Sequence, residues 1–83
     1  MTLIIPPAVI KQMKTMPQTD QARIIEALEQ IATQPSFRFS FMTELVGEPG
    51  HWRVRKGIWR AIISIENNDV RVIRIAHRRE SYR

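Results

Sequence analysis

Apolar positions along this chain change period twice, and the changes divide it into a helix-forming half and a strand-forming half. Thr2 to Ile5 is a short β-prone run that Pro6 and Pro7 interrupt, and an edge strand is predicted over 2–5. The same prolines can open a helix, because the first turn leaves its N–H groups without intrahelical partners in any case. From Ala8 to Met16, Val9, Met13 and Met16 recur at helical spacing until Pro17 breaks the run. Thr19 or Asp20 is placed to cap a second helix. In it Ile24, Ile25, Leu28, Ile31 and Ala32 form one apolar stripe, with Arg23, Glu26, Glu29 and Gln30 facing out, until Gln34 and Pro35 end it. The pair reads as a helical hairpin.

Residues 36–50 fit neither period well. Phe37, Phe39 and Phe41 alternate as in a strand, but Gly47, Pro49 and Gly50 close the segment as loop, so an irregular connection with inward-packed phenylalanines is expected. From His51 the period is two. His51 to Lys56, a turn at Gly57, Trp59 to Glu66, a tight turn at Asn67 to Asp69, and Val70 to Ala76 predict three antiparallel strands in a meander. The expected class is α+β: an N-terminal edge strand, a two-helix hairpin, then an antiparallel meander with the helices packed on one face.

At 83 residues the chain has room for a single domain, expected to span 1–83, and not for a two-domain enzyme. Its composition, 43% hydrophobic and 25% charged, is that of a folded protein. No cysteine and only two histidines argue against a disulfide framework or a structural zinc site, and no metal or cofactor is expected. Apolar runs such as Leu3 to Ile5 are too short to span a bilayer and no basic-then-apolar leader precedes them, so a cytoplasmic protein without membrane contact is expected.

Charge changes the picture more than composition does. Residues 1–50 carry four bases against five acids, whereas residues 51–83 carry nine bases against three acids, so the whole net charge of +5 arises in the last third of the chain. Eight of those nine bases are arginine. Solubility alone would be served equally by lysine, whereas the rigid guanidinium fork suits phosphate. Alternation sets Arg53 and Arg55 on one face of the first meander strand, opposite Trp52 and Val54. In the second strand Trp59, Ala61, Ile63 and Ile65 suit the helix side, leaving Arg60, Ile62 and Ser64 on the other. Both tryptophans therefore read as core. The third strand carries an arginine on each alternation, Arg71 or Arg74, which leaves its register open.

These residues bear a resemblance. Leu45-Val46-Gly47, then Trp52 to Ile63 with its aromatic-Arg-x-Arg-x-Gly-x-aromatic-Arg pattern, then His77-Arg78-Arg79 with Tyr82, resemble the RelE/ParE superfamily of bacterial toxin–antitoxin toxins. The match is close from residue 45 onward, and the helical hairpin agrees in kind and position. The resemblance implies a toxin of a type II pair, held inactive by a cognate antitoxin in a higher-order complex. The RelE-like branch implies cleavage of mRNA on the ribosome; the ParE-like branch implies poisoning of DNA gyrase without nuclease chemistry. A non-catalytic nucleic-acid binder or a decayed toxin is a further alternative.

Metal-free RNA cleavage needs the 2′-hydroxyl aligned on phosphorus, the phosphorane neutralised and protons moved. Carried over by position, the resemblance makes Arg53, Arg55, Arg60 and Arg78 the phosphate-holding groups, with Arg60 on the reacting phosphate and Arg78 near the leaving group. Tyr82 matches the tyrosine that orients the substrate. Arg53 and Arg55 stand where some RelE-like toxins have lysines, and a guanidinium stays protonated at cellular pH. The general base is then His77, with Glu80 or Tyr82 behind it. His51, Lys56, Arg74, Arg79 and Arg83 are expected as peripheral contacts to RNA or the ribosome.

Overall fold

The computed structural model describes residues 1–34 and 38–79. Strand β1 (Thr2–Ile4) leads into helix α1 (Pro7–Met13), which Pro6 precedes in extended conformation with Pro7 in the first turn. Helix α2 (Gln18–Thr33) follows Pro17. Neither Thr19 nor Asp20 caps it: Pro17 occupies the N-cap position with no side-chain cap hydrogen bond, and Asp20 lies inside the first turn. The carboxylate expected at the cap instead accepts the Trp59 indole N–H at 2.9 Å, which ties the start of α2 to the sheet. The first helix also ends sooner than its apolar period suggests, although Met16, beyond its last turn, is still buried.

Four further strands follow: β2 (Met42–Glu44), β3 (His51–Lys56), β4 (Trp59–Glu66) and β5 (Asp69–His77). The sheet order is β1-β5-β4-β3-β2, with β1 parallel to β5 and every other pairing antiparallel. The meander is as expected, and the sheet gains an outer strand inside the segment read as irregular: Met42, Thr43 and Glu44 pair with Val54, Arg53 and Trp52. Three residues are too few for period-two alternation to show in sequence. Asn67 and Asn68 both adopt positive φ, 51° and 65°, the conformation a two-residue hairpin turn requires.

Both helices lie on one face of the sheet. Ile24, Ala27, Leu28, Ile31 and Ala32 of α2 meet Val54, Ala61, Ile63, Val70, Val72 and Ile75 of the strands, joined by Val9, Met13 and Met16. Ile24, Leu28, Val54, Ala61, Ile63, Val70 and Val72 are fully buried, and each large side chain among them contributes about 1.5–3 kcal/mol by leaving water. Trp52, Trp59, Phe39 and Phe41 pack partly buried against this core; Phe37 and Pro35 lie outside the described residues. β1 pairs with β5 only as far as Arg71, and further along that edge the Ile75 N–H donates to the Gln12 side chain of α1 at 3.1 Å, so a buried donor is not left without a partner. No described helix is long and apolar enough to cross a membrane.

Candidate nucleic-acid interface

Residues directly opposite one another in a ladder share a face. The pairings His51–Ser64, Arg53–Ile62 and Arg55–Arg60 between β3 and β4 continue as Ser64–Arg71, Ile62–Arg74 and Arg60–Ala76 into β5. The face turned away from the helices thus carries Arg53, Arg55, Arg60, Arg71 and Arg74, and all but Arg60 are exposed. The register of β5 left open by the sequence is settled by a bulge. Arg74 lies opposite Ile62 and Val72 opposite Ile63, which makes Ile73 the extra residue. Three positions apart in a regular strand, Arg71 and Arg74 would point to opposite faces; one bulged residue brings both to the open one.

Arg60 differs from its neighbours in burial. It is 7% exposed, and its Nη1 donates to the backbone carbonyls of Gly57 at 3.2 Å and Trp59 at 3.3 Å. Gly57, at φ +62°, makes the β3–β4 turn that presents the first of these acceptors. A guanidinium has five N–H donors, and backbone carbonyls carry no charge to balance it. Arg60 is therefore a pre-oriented cation, held in place by the turn, with donors left for an anion.

Arg55 stands opposite Arg60, and the Arg78 backbone N–H donates to the Ile58 carbonyl at 2.7 Å, so Arg55, Arg60 and Arg78 gather at the β3–β4 turn end of the open face. Arg53 and Arg74 flank Ile62 at the next level, and His51 and Arg71 flank Ser64 beyond it. Lys56 is half-buried, its Nζ over the Phe41 ring at 4.7 Å from the centroid. Arg79 is exposed just past β5. Glu80, Tyr82 and Arg83 lie outside the described residues. Among the described residues no group of three or more metal-ligating side chains comes together.

His77 does not join the arginines. It pairs with Trp59, on the helix side of the sheet, and meets that ring edge-on with centroids 5.4 Å apart. Its Nδ1 accepts the Arg79 backbone N–H at 3.2 Å. Parity is the cause: Arg60 and Ala76 form the adjacent pair on the open face, so the next pair must point the other way. His51 is on the open face. Its Nδ1 lies 3.3 Å from the Pro49 carbonyl, which can only accept, so the proton is on Nδ1 and Nε2 is the free acceptor. It is four residues from the level of Arg60, however, or about 13 Å at the usual strand rise. Sequence reasoning left Arg71 unassigned because a bulge has no signature in period-two alternation, and it read Arg23 as plain helix surface.

The model of the ParE toxin of type II toxin–antitoxin systems, parDE, matches residues 3–82. The chain belongs to this toxin family. Its fold is shared with RelE toxins of solved structure. The toxin is 20% identical to its counterpart in the RelB–RelE antitoxin–toxin complex of Methanococcus jannaschii, with a TM-score of 0.79 over 95% of this chain and 94% of that one. It is 22% identical to one in the archaeal RelE–RelB complex of Pyrococcus horikoshii OT3, with a TM-score of 0.75 over 93% of each chain. It is 16% identical to a mutant E. coli toxin RelE in the free state, with a TM-score of 0.78 over 98% of this chain and 86% of that one. At these identities the likeness speaks for the fold alone. No curated protein matches the chain.

Proposed function

We propose that this toxin acts on RNA as a ribosome-dependent, metal-independent mRNA endonuclease, and that a cognate antitoxin silences it by covering the arginine face. The observation that carries the reading is the convergence of Arg55, the buried Arg60 and Arg78 at one end of an open face that continues through Arg53, Arg74 and Arg71. Arg60 seats the scissile phosphate, because a cation fixed by backbone carbonyls loses little freedom when an anion arrives and stabilises charge as it develops on the phosphorane. Arg55 and Arg78 approach the same phosphate from the neighbouring strand and from the chain beyond β5. Arg53, Arg74 and Arg71 hold the flanking backbone, with His51, Lys56, Arg79 and Arg83 as peripheral contacts. Tyr82 orients the substrate.

Proton transfer is not assigned to His77, which faces the helices. Catalysis rests instead on charge stabilisation and on alignment of the 2′-hydroxyl, which the ribosome supplies by fixing the mRNA. The test is to induce the toxin from a tightly repressed promoter and map mRNA 5′ ends on ribosomes. Cuts at a fixed place within codons, lost in Arg60→Ala and Arg78→Ala, are expected. Intact mRNA with both variants still toxic refutes the reading.

The match to the ParE model, together with an open face whose one described imidazole stands about 13 Å from Arg60, favours a second reading: a non-cleaving gyrase poison. Trapped gyrase–DNA complexes after induction, with translation intact, would decide for it.

A further inference from the structure

Where α2 passes the β3–β4 turn, the structure holds a groove of about 670 Å³ that the arginine face does not account for. Arg23 of α2 lines it together with Arg55 and Lys56, and Ser40 and Thr43 add two hydroxyls; no carboxylate is part of its wall. The groove exists because the Asp20–Trp59 hydrogen bond anchors the first turn of α2 beside the start of β4, which brings Arg23, one turn further on, over the sheet end. Its position is fixed by the fold and its three cations share one space.

The lining selects among ligands. Three cations without an acid favour an anion, and a guanidinium flanked by hydroxyl donors suits phosphate oxygens. An aromatic seat for a base is missing: the Phe41 ring is stacked on Phe39, centroids 4.9 Å apart, and carries the Lys56 ammonium. The groove therefore suits phosphate and sugar rather than a nucleobase, and its volume lies in the range of small-ligand sites. Arg55 belongs both to this groove and to the face where it stands opposite Arg60, so the two regions form one track.

We propose that this groove is a second phosphate seat, in which Arg23, Lys56 and Arg55 hold the RNA backbone beyond the phosphate on Arg60, so that the strand leaves the sheet over its β2–β3 end toward α2. The proposal rests on the RNA-directed reading of the arginine face, but it concerns binding and not cleavage. It makes the first half of the chain, which carries no net positive charge, part of the RNA interface through one helix residue.

The probe is a fluorescein-labelled, fully 2′-O-methylated oligouridylate, which has no 2′-hydroxyl to attack and so reports binding whether or not the toxin cuts. Anisotropy titrations over a range of salt compare wild type, Arg23→Gln, Thr43→Val and, as a control with the same charge change on exposed α1 flank, Lys14→Gln. Loss of one phosphate contact on a single strand lowers the slope of log K against log salt by about 0.7. Arg23→Gln is expected to show that decrease with about fivefold weaker binding near physiological salt, Thr43→Val a smaller loss with the slope unchanged, and Lys14→Gln neither. Circular dichroism melting shows that the variants remain folded. Wild-type affinity and slope in Arg23→Gln overturn the proposal even if mRNA is cut; unaltered RNA binding with weakened hold on an acidic antitoxin peptide would also overturn it and give the groove to the antitoxin. If the oligonucleotide behaves as expected while mRNA stays intact on ribosomes, the cleavage reading fails and the seat stands.

Discussion

Replacing Arg60 with methionine separates a phosphate-holding role from a structural one, because the two roles demand opposite signs of stability change. The side chain is 7% exposed and its hydrogen-bond acceptors are two backbone carbonyls, at 3.2 and 3.3 Å. Withholding a guanidinium from water costs several kcal/mol even after relaxation. Hydrogen bonds from a charged donor offset about 1.5–3 kcal/mol each, and bonds this long fall at the low end of that range. The two contributions nearly cancel. Methionine supplies similar apolar volume without the charge, and the Gly57 carbonyl, on an exposed turn, can take water instead. Arg60→Met should therefore leave the free energy of unfolding unchanged or raise it by about 1–2 kcal/mol. About 1 kcal/mol moves the Tm of a domain this size by roughly 4–8 °C. Urea unfolding followed through Trp52 and Trp59 fluorescence gives the first quantity and melting the second, while growth after induction reports function, which should be lost. A loss of more than about 3 kcal/mol, the cost of breaking a buried charge network, would show that Arg60 is buried for the fold and would remove the argument for a pre-oriented cation.

Further outcomes follow from the same geometry. Trp59→Phe keeps the ring in the core but deletes the N–H that Asp20 accepts, and should cost about 1 kcal/mol, a Tm decrease of roughly 4–8 °C; strict additivity with Asp20→Ala in a double-mutant cycle would show that the bond contributes nothing. His77→Gln should arrest growth as wild type does, since the ring lies on the helix side, with only about 0.5–1.5 kcal/mol of stability lost with the Trp59 contact; a harmless His77→Gln protein at wild-type abundance would return that histidine to the chemistry. Deleting Ile73 should heal the ladder, leaving Arg74 opposite Ile62 and Val72 opposite Ile63, and cost no more than about 1–2 kcal/mol by urea unfolding. An unfolded deletion protein would show that the strand needs the bulge for its bend.

The fold was readable where period and punctuation agree. Pro6, Pro7 and Pro17 separate the first elements, the α2 stripe buries as its spacing demands, and Gly57 and the two asparagines close the hairpins at positive φ. What escaped the sequence depends on contacts between distant segments. β2 is a strand because β3 offers it an edge, not because three residues declare themselves. Asp20 has the chemistry of a cap, but Trp59, 39 positions away, provides a stronger use for its carboxylate. No local propensity contains that partner.

The site shows the same division, and it bears on what the face can do. Alternation alone set Arg53, Arg55 and Arg60 together, because β3 and β4 are regular where those residues sit. Arg71 and Arg74 needed the bulge, and His77, next to two arginines in sequence, is carried to the other side of the sheet by the parity that exposes its neighbours. The result is a surface that can bind and polarise a phosphate but has no described imidazole at Arg60. General acid–base catalysis is typically worth about 10²–10⁴-fold, whereas alignment of reacting groups can supply about 7–11 kcal/mol. A toxin built this way gives up the smaller term and depends on the larger. Alignment must then come from whatever holds the RNA taut across the sheet, which is a reason for the ribosome to be part of the active site and for a second phosphate seat to lie beyond the first.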